Sequence, residues 1–488
     1  MISAVRRMSR SCALRKRAHA APDALTRRPA SFYAMRIPSL QHVTYAIADA
    51  MLAGPAEPDS IVERMTRCLG VNSEWMLGLA RTVAKRFGAR WDSVDRKEVS
   101  MVVAGAPGFV AAWRSDMRPL VVQVLRRAPT QQLPPPRLRA VTLPQLPTLG
   151  DLASWLEVEA ADLDWFADRW RVMPQSAGTP LHHYSYKAIE KRDGRCRLIE
   201  IPKSRLRNVQ RKILRGLLEW IPPHDCVHGF RKGRNTVTYA APHAGQAVVV
   251  RFDLADFFAS VHAPRVHALM RTLGYPQEVA RALTALCTNR VPSARLLAPD
   301  VRGRMEWLER QRYRTRHLPQ GASTSPALAN LCAFRLDLRL AGLARALGAT
   351  YTRYADDLAF SGGEDLARVI ERLSVRVAAI ALEEGFSIQL RKTRVMRCGA
   401  RQHLAGVVVN RHPNLARSEF DTLKAILTNC VRHAPASQNR EGHVDFRAHL
   451  QGRVAHAVML NAQRGAKLKG IFERIAWDEE RRWVKNEG

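Results

Sequence analysis

Residues 352–362, TRYADDLAFSG, set two adjacent aspartates between short apolar runs. The runs at 351–354 and 358–361 predict two strands joined at 355–357 by a tight turn, so this region belongs to a sheet. Aspartate is a poor strand residue, and neighbouring carboxylates repel each other. A turn tolerates aspartate, which accounts for part of the pair. A tight turn also draws Asn or Gly beside its aspartate, however, and neither lies inside this one. A further carboxylate on a neighbouring strand explains the pair better. Such a group would hold hard divalent cations through oxygen, and the cations would cancel the repulsion.

Residues 251–258, RFDLADFF, supply a second carboxylate cluster. Asp253 ends a Val-rich run over 248–254 that predicts a buried strand, and Asp256 falls in the turn after it. Taken alone, Asp256 also suits a helix N-cap and Asp253 a surface position. Asp253, Asp356 and Asp357 together would hold two Mg²⁺ ions about 4 Å apart, an arrangement that clamps both oxygens of a phosphoryl transfer. A third stretch, LPQGASTSPALAN over 318–330, contains a plain helix start from Thr324 onward. That leaves Gln320 and Gly321 in a loop where a close backbone approach to a base or sugar would need the glycine.

The formal charge of +33 and sequence pI of about 10.9 point to a polyanionic partner, although arginine-biased composition produces the same surplus. At 488 residues and 46% hydrophobic content the chain predicts two to four folded subdomains. Its eight cysteines are scattered without a CxxC pair, which suits a reducing compartment and argues against a zinc ribbon or a disulfide framework. No apolar run approaches the roughly 20 residues of a membrane-spanning helix, so no membrane partner is expected. The first thirty residues are basic, fitting an organellar leader, a flexible arm, or a start placed upstream of Met35.

Helical patches at 61–65 and 75–80 lead to a Pro-rich stretch (Pro134, Pro135, Pro136, Pro144, Pro147) that predicts an extended linker. A helical pair over 152–171 would bury Trp155, Leu156, Leu163, Trp165, Phe166 and Trp170. From Tyr184 short strands alternate with helices, the α+β pattern, and beyond Arg411 the chain reads as helical and basic to near Trp483.

The aspartate strand, the Pro-Gln-Gly loop and the Tyr-Ala-Asp-Asp hairpin, in this order, resemble the palm of a reverse transcriptase. The resemblance implies an α+β right-hand polymerase fold. Its parts would be a mostly helical N-terminal extension (1–150), N-terminal helices and fingers (151–246), a palm of antiparallel sheet plus helices (247–410) and a helical thumb (411–488). It makes Asp253, Asp356 and Asp357 the catalytic, metal-binding triad for two Mg²⁺, with Mn²⁺ as a substitute. Asp256 and Phe258 would lie under the incoming deoxynucleotide, with the Phe258 ring excluding a ribose 2′-hydroxyl. Gln320 and Gly321 would pack on the templating pair. The stretches RCRLIEIP (195–202), VQRKIL (209–214) and HGFRKGRN (228–235) resemble fingers, giving Arg197, with Lys187 as second candidate, a triphosphate contact. In EGFSIQLRKT (384–393), Lys392 would lie near the leaving pyrophosphate.

YAAPH (239–243) and LAGVVVN (404–410) are similar in part to retron reverse transcriptase signatures. Ala240, His243, Gly406 and Asn410 agree, whereas Tyr239, Leu404 and Ala405 depart. The tail, with LQG (450–452) and KLKGIF (467–472), is also retron-like. The resemblance, covering about 184–483, implies RNA contacts at His243, Asn410, Lys467 and Lys469. It implies a dedicated structured RNA as template and primer, a cDNA started from an internal 2′-hydroxyl to give a branched RNA–DNA, and dNTPs as substrates. It further implies a separate effector protein, a role in anti-phage defence, and a bacterial cytoplasmic location. Competing readings are a group II intron-like or abortive-infection reverse transcriptase, a non-catalytic RNA-binding scaffold, and an unrelated metal-dependent nuclease.

Overall fold

A computed structural model describes residues 39–91, 94–168, 182–191 and 193–477. The expectations for the basic arm, for Trp170 and for the chain end near Trp483 fall outside these residues. The chain divides into two compact units, Met1–Ala128 and Pro129–Gly488.

The first unit is helical: Leu40–Leu52, Pro58–Leu69, Trp75–Phe87, Arg96–Gly105 and Pro107–Arg114. Ser39 caps the first helix by accepting from the His42 amide, and Gly70 ends the second in a left-handed turn (φ 71°) that suits glycine. Val43, Ile47, Met51, Ile61, Met65, Val83, Val99 and Phe109 are buried together in a core of their own. Arg64 is buried among them because its guanidinium donates to the carbonyls of Ala50 and Met51, in the last turn of the first helix, and of Pro55 just beyond it.

The Pro-rich stretch is not a free linker. Leu138, Leu143 and Leu146 are buried in the core of the second unit, and the Gln132 amide donates to Gly274 O at 2.8 Å. Apolar side chains at those three positions give the segment a surface to bury, so the unit boundary falls at 128/129 rather than near 150. In the helical pair that follows, Leu149–Leu156 and Ala160–Ala167, Leu156, Leu163 and Phe166 are buried as expected. Trp165 is 40% exposed instead, its ring meeting His183 edge-on at 5.2 Å.

The second unit carries two sheets that position the site. β1 (Tyr184–Glu190) and β2 (Cys196–Pro202) form an antiparallel hairpin. β3 (Val248–Asp253), β4 (Thr350–Tyr354), β5 (Asp357–Gly362) and β6 (Arg394–Arg397) form an antiparallel sheet in the order β4-β5-β3-β6. β3 has a neighbour on each side and packing on both faces, which is why its sequence is a near-continuous Val run. Val248, Val250, Phe252, Leu358 and Phe360 enter one core with the helices Ala263–Thr272, Gln277–Cys287, Ser325–Cys332 and Phe334–Ala346. Val249, Ala359 and Met396, from the opposite face, join a second with the C-terminal helices Arg417–His433, Phe446–Leu460 and Ala462–Phe472. No disulfide joins the described cysteines, and among the described residues no helix is long and apolar enough to cross a membrane.

Candidate active site

The strand register brings the carboxylates together. Asp253, the last residue of β3, pairs directly with Asp357, the first of β5. Tyr354 pairs with Asp357, so the hairpin turn consists of Ala355 and Asp356 alone. Ala355 takes a left-handed conformation (φ 55°), a position where two-residue turns prefer glycine. The Leu254 amide donates to Asp356 O at 2.9 Å, tying the turn to the end of β3.

The three carboxylates are crowded. Burial, reinforced by the Asp253 carboxylate, raises Asp356 above the ordinary aspartate range. Burial raises Asp357 to about 6, against the opposing effect of Arg251 and with added repulsion from Asp356 and Asp253. Lys392 Nζ donates to both Asp253 oxygens at 2.9 and 3.0 Å. Arg251 Nε lies 3.4 Å from Asp357 Oδ1. Both of those atoms are buried without a hydrogen-bond partner.

Among the described residues, no three His, Cys, Asp or Glu side chains converge as a ready cation site. The donor set still fits a hard divalent cation. It is all carboxylate oxygen, one of those oxygens is buried and unbonded, and burial with added like-charge repulsion raises two of the acids.

Asp253 and Asp356 line a cavity of about 730 Å³ with Arg197, Phe258, Gln320 and Lys392. Asp256 also lines it, in a left-handed conformation (φ 48°), and receives Arg312 Nη1 at 2.5 Å. Asp256 is therefore a half-buried ion-pair partner and caps no helix. The Phe258 ring sits 5.6 Å from Phe257, which is buried, and 6.0 Å from Phe230. Lys187 lies on β1 and is exposed, and it is not part of the cavity wall.

Gly321 (φ 133°) meets β2 rather than open pocket. A Cβ there would lie 2.7 Å from Glu200 O, so the close approach that demands glycine is to the protein's own strand. The Glu200 amide donates to Gln320 O, which joins the loop to β2 and sets Gln320 beside Arg197. The Glu200 carboxylate is fully buried and accepts from His317 Nε2 at 2.8 Å and Asn289 Nδ2 at 2.7 Å. The Glu200 carboxylate outweighs the effect of burial and raises His317 above its ordinary value.

Two of the four candidate RNA contacts are committed inside the fold. His243 is 0% exposed, with Nδ1 2.7 Å from Ser361 Oγ and Nε2 2.7 Å from Thr352 Oγ1. Its ring bridges β5 to β4 and reaches no solvent, which corrects the expectation of an RNA contact there. Asn410 accepts from the Gln402 amide and donates to Cys398 O and Ala400 O, so it ties together the open ends of a small two-stranded hairpin. Lys467 and Lys469 are exposed on the helix Ala462–Phe472.

Sequence reasoning passed over the group beneath the hairpin. Arg353 is fully buried and donates from Nε and Nη2 to the two oxygens of Asp337, each at 2.7 Å. Its Nη1 donates to Asn330 Oδ1 and to Ala355 O, the turn residue itself. The available signal was an arginine inside a strand of a buried sheet, where a charge must have a partner.

A family model described as reverse transcriptase (RNA-dependent DNA polymerase) matches residues 189–430. The chain is 42% identical over 288 residues to the Retron Mx65 reverse transcriptase of Myxococcus xanthus, covering 59% of this chain and 64% of that protein, under two thirds of its length. It is 36% identical over 340 residues to the Retron Mx162 reverse transcriptase of the same organism, covering 67% of each chain. To the Retron Ec86 reverse transcriptase of Escherichia coli it is 27% identical over 292 residues, 59% of this chain and 80% of that protein.

Proposed function

This chain belongs to the retron-type reverse transcriptases, and on that premise we propose that it is an RNA-directed DNA polymerase copying part of a dedicated structured RNA into DNA. We assign the sheet β4-β5-β3-β6 with its helices to the palm. The β1–β2 hairpin with the helix Ser204–Gly216 is the fingers, and the helices after Arg411 are the thumb. The observation that carries the reading is the strand register, which sets Asp253 beside Asp357 with Asp356 at the turn, Asp253 and Asp356 lining one cavity.

Asp253, Asp356 and Asp357 would hold two divalent cations, Mg²⁺ or Mn²⁺, and bound there the cations supply charge neutralisation at the attacking and leaving oxygens. The protein's own part is positioning and charge. In the reaction a primer hydroxyl oxygen attacks the α-phosphorus of a dNTP, the bond to the β-phosphate breaks, and pyrophosphate leaves. Arg197, exposed on β2 at the cavity wall, meets the triphosphate. Lys392 moves from Asp253 to the departing pyrophosphate, as charge stabiliser or acid. Gln320 contacts the templating pair, and the Phe258 ring stands where a ribose 2′-hydroxyl would fall. Lys467 and Lys469 contribute to a thumb surface that grips RNA through its phosphates.

The primer is an internal RNA 2′-hydroxyl, so the product is a branched RNA–DNA, and the biological role is anti-phage defence beside a separate effector. Sequencing nucleic acid that co-purifies from the native host tests this. A short DNA joined to one structured RNA supports it, and heterogeneous RNA alone opposes it. Asp356→Asn and Asp357→Asn should each abolish dNTP incorporation while RNA binding persists in a filter or gel-shift assay. Full activity in both variants refutes the mechanism.

A further inference from the structure

Residues 228–230 lie flush against the aspartate hairpin. The His228 amide donates to Arg353 O at 2.8 Å, and Gly229 O accepts from the buried Asn330 side chain at 2.9 Å. A Cβ at Gly229 would stand 2.5 Å from Ala355 N and 3.1 Å from Tyr354 C, so only glycine lets the two backbones meet there. The next residue, Phe230, then adopts φ 58°, a left-handed conformation that bulky side chains avoid. Phe230 is 52% exposed and belongs to none of the hydrophobic clusters of the described residues. A strained, exposed aromatic with no part in a core calls for a reason outside folding.

That reason lies in its neighbour. The Phe230 ring packs on Phe258 at 6.0 Å, while Phe257 packs on Phe258 at 5.6 Å and is itself 4% exposed. Phe230 lines the carboxylate cavity and also the adjoining groove of about 530 Å³ that holds Trp220 and Lys232. A ring that bars one hydroxyl group does so only if it cannot yield, because an apolar wall free to shift rejects an added hydroxyl poorly. Phe257 fixes Phe258 from the core, and Phe230 fixes it from the 228–230 segment docked against the hairpin that carries Asp356 and Asp357.

We propose that Phe230 is a positioning residue for sugar selection, holding Phe258 so that ribonucleotides are refused. This rests on the reading of Phe258 as the gate. The test uses the full-length chain extending oligo(dG) on poly(rC), with kcat/KM measured separately for dGTP and GTP. Phe230→Gly removes the ring and frees the left-handed backbone, so its melting temperature should not fall below that of the parent. The preference for dGTP over GTP should fall about tenfold in Phe230→Gly and likewise in Phe258→Ala. Phe230→Tyr, which restores the ring, should return the preference to that of the parent. Phe230→Leu, apolar but without a ring, should lose it and serves if the glycine variant does not fold. If Phe258→Ala loses the preference while Phe230→Gly and Phe230→Leu keep it, this inference alone falls. If Phe258→Ala keeps it, the reading of Phe258 as the gate falls and this inference with it. A loss in Phe230→Tyr as deep as in Phe230→Gly also overturns it.

Discussion

The aspartate pair shows how much one residue can owe to its surroundings. Asp356 and Asp357 differ from ordinary turn aspartates because the register sets Asp253 against them and burial denies them water. Gly229 has a comparable hold on the site without carrying any chemistry. Its α-carbon is pressed against the turn backbone, and backbone atoms, unlike the end of a flexible side chain, cannot step aside. Gly229→Ala should therefore displace the Ala355–Asp356 turn, cost about 1–3 kcal/mol of stability as an overpacked contact, and depress dNTP incorporation more than RNA binding. Urea unfolding and single-nucleotide extension measure the two effects, and an alanine variant with parental rates would show that the turn tolerates the shift. The motif around Gly229 was legible in sequence as a glycine-containing stretch. Its contact with residues 354 and 355 was not, because more than a hundred residues separate them.

At the scale of the element, the β4–β5 hairpin is held from below by charge and from the side by a histidine. The Arg353–Asp337 pair is entirely buried, and Tyr351 OH also donates to Asp337 at 3.0 Å. Removing one partner strands the other. Asp337→Leu should cost about 3–5 kcal/mol in urea unfolding, whereas Asp337→Leu combined with Arg353→Met should cost less. A single variant no worse than the double would contradict this account. His243, bridging the two strands, is held by burial at about 3, and His228, buried beside Arg234 and Arg231, at about 4. Both values lie below that of an unfolded histidine, so between about pH 6.5 and those values the unfolded chain takes up protons that the folded chain refuses. The contribution of these two histidines is complete above about pH 6.5 and falls on acidification, by at most about 1.4 kcal/mol per pH unit for each histidine. His243→Gln, which keeps a donor and an acceptor, should show a shallower fall in melting temperature from pH 7 to pH 5 than the parent, and an equal slope would refute the assignment. The strands themselves were legible from their short apolar runs, and β3 from its valines. The supporting residues were not, since a buried ion pair or histidine bridge leaves no period in the sequence.

For the whole molecule, the two units bury separate cores. The core of the first contains residues from Val43 to Phe109, and the clusters of the second begin at Leu138. Calorimetry of the full chain should therefore resolve two unfolding transitions, and one cooperative transition would argue against independent cores. Sequence by itself determined the α+β character of the second unit, the helices of the first, the three carboxylates and their order along the chain. Those properties follow from side-chain period, turn chemistry and the cost of like charges in close sequence, all of which are local. Tertiary structure alone decided that residues 129–150 join the second unit's core, that Gly321 faces β2, that His243 is sealed between strands, and that Phe230 reaches Phe258. Each of these depends on which distant segments burial brings into contact. Hydrophobic attraction carries no direction of its own, so the partner is chosen only when the whole chain packs.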